Sequence, residues 1–347
     1  GRISLAPDSI LGVQFSASLR KTFEASMQVT SRLDAEGSYR PSISLAFLKY
    51  RPVEDAVLRF GRLANEMYML GDSADIGYAN VTIRQPTIFY PRTFNGGDGE
   101  WTQPVSGGLL RVKAFGGRMM DKLDYGTTVY DFSGSLIRGG LFEFVKSGWS
   151  GRIASGLRVF ERPVTDAPTI AFMQSLQALS PNGAQIANRL SMQGRRVYFR
   201  QVALAYDADG WQGMASYAYD VSPGWPLRKT LYSMLSYRVG DWTPYGSYTV
   251  QRSDRNFIST GLSSGVGLDA LILAAGSAQA LSVVNQSSLG IGSRYDITKN
   301  TALKVQWALI RYQDPESIVD PSLYSVPAEN RHFKDMNLWS AALDFLF

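Results

Sequence analysis

The chain has 347 residues, of which 45% are hydrophobic, with a net charge of +5, no cysteine and one histidine. No run approaches the about 18 apolar residues that a membrane helix needs. The longest candidate, 268–280, is short and rich in Ala and Gly, which excludes a helical membrane protein.

The predicted elements follow one another with a period of two. The first strand, 10–20, sets Val13, Phe15, Ala17 and Leu19 against Gln14, Ser16, Ser18 and Arg20. The next, 22–34, sets Phe23, Ala25, Met27 and Val29 against Glu24, Ser26, Gln28 and Thr30. Strands at 42–51 and 56–64 lead into a long excursion, 72–105. Strands at 106–116, 124–134, 140–147 and 149–161 precede a second excursion, 162–194. Strands at 196–207, 211–220, 228–239 and 242–252 precede a third, 253–286. A hairpin, 286–296 with 301–311, opposes Leu303, Val305, Trp307 and Leu309 to Lys304, Gln306 and Ala308. A fourth excursion, 312–336, leads to the last strand, 337–347. There Trp339, Ala341, Leu343, Phe345 and Phe347 alternate with Ser340, Ala342 and Asp344.

This alternation has two physical readings. A soluble sandwich packs its apolar face inward, whereas a membrane barrel turns it to lipid and its polar face to a wet lumen. Three features favour the barrel. The polar faces mix small residues with charges. Aromatics gather near strand ends: Trp149, Trp211, Tyr217, Tyr219, Trp242, Tyr245, Tyr248 and Tyr295. Tight turns, such as 147–149 and 207–210, alternate with the four long excursions, the asymmetry of periplasmic turns and external loops. The expected fold is therefore all-β: one transmembrane antiparallel up-and-down β-barrel spanning 1–347. Fifteen strands can be counted, and single-chain bacterial barrels usually have an even number. Sixteen are expected, with one before residue 10 lacking here, and fourteen is the alternative.

The final strand ends in an aromatic with apolar residues at alternate positions before it. It resembles the C-terminal signal of Gram-negative outer-membrane barrels. Arg59-Phe60-Gly61-Arg62-Leu63, followed by the Asp72–Tyr90 stretch with its Arg84-Gln85-Pro86 element, is similar to a family of uncharacterised proteobacterial porins. The stretch Ser288–Leu309 resembles that family's penultimate hairpin. The resemblance implies a passive diffusion channel in the outer membrane, with lipid and lipopolysaccharide around it. The general porin pattern adds a homotrimer.

In porins a long loop folds into the lumen and narrows it. The excursion 72–105 has the charges and aromatics for that role: Asp72, Asp75, Arg84, Arg92, Asp98 and Glu100, with Tyr78, Phe89, Tyr90, Phe94 and Trp101. Its other reading is a surface loop packed on its own aromatics. Arg152, Arg158, Arg294 and Lys304 fall on polar faces of the wall. Arg62 and Arg111 are further lumen candidates, and Glu24, Glu143 and Asp344 are acidic partners. An arginine excess would favour anionic solutes; paired wall residues that stiffen the barrel are the alternative. Helical character at 169–179 and 268–281 suggests short helices in the second and third excursions.

Other chemistry has little support. One His without Cys cannot build a metal site of the usual spacing. His332 has no placeable Ser or Asp partner for nucleophilic catalysis. Scattered Lys and Arg argue against nucleic acid, and no residue pattern calls for a cofactor. The expected function is an outer-membrane porin for small hydrophilic solutes, possessing an anion preference if its arginines are unpaired. The alternative is a structural, assembly or polypeptide-export barrel with a plugged lumen, to which residues 1–9 could contribute.

Overall fold

A computed structural model describes residues 9–20, 22–34, 37–69, 71, 73, 76–84, 92–120, 122–124, 129–162, 167–223, 226–254, 256–265, 267–280, 283–312 and 335–346. Fifteen strands form one antiparallel sheet in chain order. They are β1 (Ile10–Arg20), β2 (Phe23–Arg32), β3 (Ser42–Val53), β4 (Ala56–Ala64), β5 (Thr93–Val105) and β6 (Gly108–Met119), then β9 (Leu136–Lys146) and β10 (Trp149–Val159). The sheet continues through β11 (Arg196–Ala208), β12 (Trp211–Val221), β13 (Arg228–Tyr237), β14 (Trp242–Ser253), β15 (Gln286–Thr298), β16 (Thr301–Tyr312) and β17 (Asp335–Phe345). Two short strands, β7 (Lys122–Asp124) and β8 (Val129–Asp131), pair only with each other. Because the number is odd, β1 and β17 run in the same direction, and they form no ladder with each other among the described residues. The strand expected before residue 10 lies outside those residues.

The total of fifteen agrees with the alternation, but one member differs. The segment 124–134 is not a strand of the barrel, since only the β7–β8 hairpin forms there. Instead Thr93–Val105, expected inside a loop, is strand β5, so the first long excursion ends before residue 93. The reason lies in its glycines. On β5 the outward positions of Gly97 and Gly99 carry no side chain, and Phe60 and Leu58 of β4 cover them. The apolar half of the alternation is supplied by the neighbouring strand, so it is invisible in β5 itself.

Three tight turns share one solution. Ser106-Gly107, Ser147-Gly148 and Asp209-Gly210 each place two successive residues at positive φ, between 49° and 80°. That is the two-residue hairpin geometry whose twist matches the strands, and glycine at its second position meets little steric cost. At Gly61 (φ +136°) the backbone of β3 comes so close that a Cβ would lie 2.2 Å from the Ala46 carbonyl oxygen. Only glycine fits there.

The two faces are chemically opposite. Phe142, Ile153, Val202, Leu235, Ile291 and Trp339 point outward and are strongly exposed, with Trp339 at 73%. Contiguous apolar exposure of this extent is the surface a barrel offers to lipid. At the tight-turn end the outer face carries cross-strand aromatic pairs: Phe23–Tyr50, Trp149–Tyr206, Trp211–Tyr237 and Trp242–Tyr295, with ring centroids 4.5–4.8 Å apart. They form an interfacial girdle. Tyr245, expected among these aromatics, points inward instead and is buried. Its neighbours at the girdle, Trp242 and Tyr295, lie one strand position out of phase with it.

At the opposite end, helices α1 (Ala167–Leu179) and α2 (Pro181–Leu190) leave between β10 and β11, and α3 (Asp269–Ala280) between β14 and β15. The Ser180 hydroxyl caps α2 by accepting from the Gly183 N–H at 2.8 Å. Leu176, Ile186 and Ala275 are fully buried in a small shared core.

Candidate functional site in the barrel lumen

After Ala64 the chain leaves the sheet, and the described residues between Asn65 and Ile83, here called the strap, contact inward side chains of β4, β6 and β10 at one end and of β15 and β16 at the other. Its start is fixed by backbone and side-chain bonds. The Asn65 N–H donates to the Arg92 carbonyl at 2.9 Å, and the Asn65 Oδ1 accepts from the Met67 N–H at 3.2 Å. Glu66 then enters a cluster of wall charges. Its Oε1 accepts from Arg59 (2.7 Å) and Lys113 (2.5 Å), and its Oε2 accepts from Arg111 (2.6 Å). Arg59 also holds Asp98 through two nitrogens, at 2.9 and 2.6 Å. Arg111 reaches Glu100 (2.7 Å) and Glu143 (3.0 Å), and Glu143 also accepts from Arg152 at 3.1 Å. Register explains the gathering. Arg59 faces Asp98 across β4–β5, Glu100 faces Lys113 across β5–β6, and Glu143 lies between Arg111 and Arg152 on β6, β9 and β10. Four cations therefore meet four carboxylates.

The next residues pack on apolar wall. Met67 fills a recess over Gly156, where a Cβ would lie 2.7 Å from the Met67 methyl. Tyr68 lies on Phe199 with centroids 4.3 Å apart, and its carbonyl accepts from Arg152 at 3.2 Å. Leu63, Phe115 and Leu141 join them in a buried inward-facing core.

The strap reaches the far wall near a 3-10 turn, Gly77–Ala79. Here its carbonyls meet cations. The Gly77 oxygen accepts from Lys304 (2.6 Å), and the Tyr78 oxygen accepts from Arg294 (2.6 Å), whose guanidinium also lies 4.4 Å from the Tyr78 ring centroid. The Tyr78 hydroxyl donates to the Lys299 carbonyl in the β15–β16 turn at 2.7 Å. The Gln306 Oε1 accepts from the Ile83 N–H (3.2 Å) and the Tyr245 hydroxyl (3.0 Å). Gly77 lies against Asp344 so closely that a Cβ would be 2.4 Å from its carboxylate.

Half of the expected lumen residues converge on these two attachments. Asp98, Glu100, Arg111 and Arg152 belong to the first, and Arg294 and Lys304 to the second. Arg158 lies on the same inner face as Arg152 but pairs separately with Asp220 at 2.8 Å. Arg62 departs from expectation. It shares the outward face with Leu58 and Phe60, and donates to the Asn95 Oδ1 and the Ile43 carbonyl, because period-two alternation along β4 sets Arg59 inward and Arg62 outward. Arg84 closes the described part of the strap and is half-buried, while Arg92 is exposed just before β5. Asp72, Asp75 and His332 lie outside the described residues. Arg59, Glu66 and Lys113 were not foreseen. Lys113 was readable, since it follows Arg111 by two positions on one face. Glu66 carried no period at all.

No protein-family model and no curated protein matches the sequence. Solved structures do. OmpF of Salmonella typhi in complex with daunomycin aligns with TM-score 0.56 at 12% identity, over 96% of this chain and 89% of that one. An anion-selective porin from Comamonas acidovorans aligns with TM-score 0.52 at 13% identity, over 90% and 81%. OmpT, an outer membrane protein of Vibrio cholerae in its trimer form, aligns with TM-score 0.51 at 8% identity, over 97% and 91%. The fold is that of an outer-membrane β-barrel.

Within this barrel the wall charges are mutually compensated. Besides the four-by-four cluster, Lys49 pairs with Glu24 (3.1 Å), Arg158 with Asp220 (2.8 Å), Arg294 with Asp296 (2.7 Å) and Lys304 with Asp344 (2.8 Å). Such pairs stiffen a wall and add little net potential to the space between them. Along the inner face from β11 to β15, Gln201, Thr230, Gln251 and Gln286 stand in register on successive strands, with Ala218 between the first two, beside apolar inward residues such as Phe199 and Ala203.

Proposed function

We propose that this barrel is an outer-membrane porin, a passive diffusion channel for small hydrophilic solutes, and that it works as a homotrimer among lipid and lipopolysaccharide. The observation that carries the reading is the strap, a stretch of chain held inside a polar lumen by attachments on opposite walls. A segment so placed narrows the passage without filling it by bulk alone. Membership of a porin family is part of the same proposal, supported by barrel neighbours that include porins. The reading assigns no catalysis. It also assigns no anion preference to Arg111, Arg152, Arg158, Arg294 or Lys304, because each faces a carboxylate. Passage is set by size.

A second reading, a barrel with a plugged lumen serving structure or assembly, has one observation in its favour. Inward residues such as Gln201, Thr230, Gln251 and Lys304 are nearly inaccessible, at 3% or less. Swelling of proteoliposomes in sugars of graded size separates the two. The porin reading predicts swelling with small sugars and a sharp cutoff; absence of swelling with every sugar supports the plug.

A further inference from the structure

We infer that Glu66 is the positioning residue of the strap, and that its carboxylate also keeps this part of the lumen electrically neutral. The inference deepens the porin reading and rests on it for its conductance readout.

Two observations carry it. The strap's two attachments are chemically unlike. On the far wall it offers backbone carbonyls to Lys304 and Arg294, which any residue at those positions would offer. On the near wall it offers one side-chain carboxylate, which accepts from three cations on β4 and β6 and is 5% exposed. Among the described residues of the strap, Tyr78 adds a hydroxyl bond and a ring contact at the far wall, but only Glu66 docks through a charged side chain. The second observation is the charge count. Arg59, Arg111, Lys113 and Arg152 are balanced by Glu66, Asp98, Glu100 and Glu143. Three of those carboxylates belong to the wall and the fourth comes from the strap. Without Glu66 the wall keeps one positive charge in excess, beside a segment that has lost its only ionic hold there.

The test uses the full-length purified protein in planar bilayers under a KCl gradient, with hydrogen exchange of peptides covering 65–84 as a second readout. Glu66→Gln keeps the shape and removes the charge. It is expected to shift the reversal potential toward chloride, to raise open-channel noise and to speed exchange at Asn65–Tyr68. Glu66→Asp keeps the charge and withdraws it, so exchange and noise should rise while the reversal potential stays at the wild-type value. Glu100→Gln removes a wall carboxylate without touching the strap; it should shift the reversal potential and leave exchange at 65–84 unchanged. A Glu66→Gln protein that folds and matches wild type in all three readouts overturns the inference. If that variant does not fold, wild-type exchange and noise in Glu66→Asp overturns it instead. A wild-type protein that never conducts would sink the porin reading, and exchange at 65–84 would still decide whether Glu66 docks the strap.

Discussion

Lys113 is a long cationic side chain with 1% of its surface exposed, inside a barrel whose inner face is polar. Its ammonium is tolerable there only because Glu66 and Asp98 lie at 2.5 and 3.2 Å. Replacing one member of such a group strands the others. Lys113→Met is therefore expected to cost about 3–5 kcal/mol, read as a lower denaturant midpoint for the detergent-solubilised barrel; an unchanged midpoint would show the cluster to be dispensable. Outside the sheet the balance can be set by pH. Burial pushes the Asp131 carboxyl up, but hydrogen bonds from Ser133 and the Arg162 guanidinium outweigh it and hold the group below its ordinary value. Its folded pKa lies below the unfolded one, so its stabilisation is present above the unfolded value and lost as pH falls through the folded value. The difference in proteolytic nicking near β7–β8 between wild type and Asp131→Asn should thus be constant from neutral pH to about 5, shrink as pH falls through the ordinary carboxylate range, and vanish only below the lowered folded value. Little of this could be seen in the residues alone. Arg152 and Arg294 were legible as inward by alternation, but which carboxylate each meets depends on register across neighbouring strands. Glu66 lies on no strand, and nothing local marks a residue that acts by reaching a distant wall.

At the scale of elements, alternation identifies a strand when both faces carry side chains. It succeeded for β1, β2, β16 and β17. It failed for β5, whose Gly97 and Gly99 erase the outward face, and for the start of β9, where the adjacent Gly139 and Gly140 leave one bare position on each face. Nearby glycines have steric work of their own. A Cβ at Gly96 would lie 2.1 Å from the Gly116 carbonyl oxygen, and one at Gly117 would lie 2.3 Å from that of Asn95, so the two strands approach where neither can carry a side chain. At Gly151 and Gly246 a Cβ would meet nothing within 4 Å. Gly96→Ala or Gly117→Ala should cost about 1–3 kcal/mol through forced backbone shifts, seen as a reduced fraction of compact, heat-modifiable protein on electrophoresis. Gly151→Ala should leave that fraction at the wild-type level. Equal effects at all three positions would mean that strand propensity, not clearance, governs these sites.

The whole molecule is an inverted protein, apolar without and polar within, and this is the part that the sequence stated most openly. Period two and the contrast of tight turns with long excursions survive as features of the fold, while the final aromatic, Phe347, lies outside the described residues. Orientation of the apolar face toward lipid makes a simple demand. Arginine at Ile153, which is 60% exposed on the outer face, should destabilise the inserted barrel by about 2–4 kcal/mol if it lies near the bilayer midplane. Unfolding of the protein from lipid vesicles checks it, and a neutral effect would place that face in water. What sequence could not give is the content of the lumen, because the strap's path is fixed by contacts between residues more than two hundred positions apart, such as Tyr78 with Lys299 and Gly77 with Lys304. The most direct test of the central claim is single-channel recording of the purified wild-type protein in planar bilayers. The strapped barrel should give discrete conductance steps, smaller than those of the same protein with its Glu66 attachment removed. Well-folded protein that inserts and yet passes no current at any applied voltage would contradict the channel.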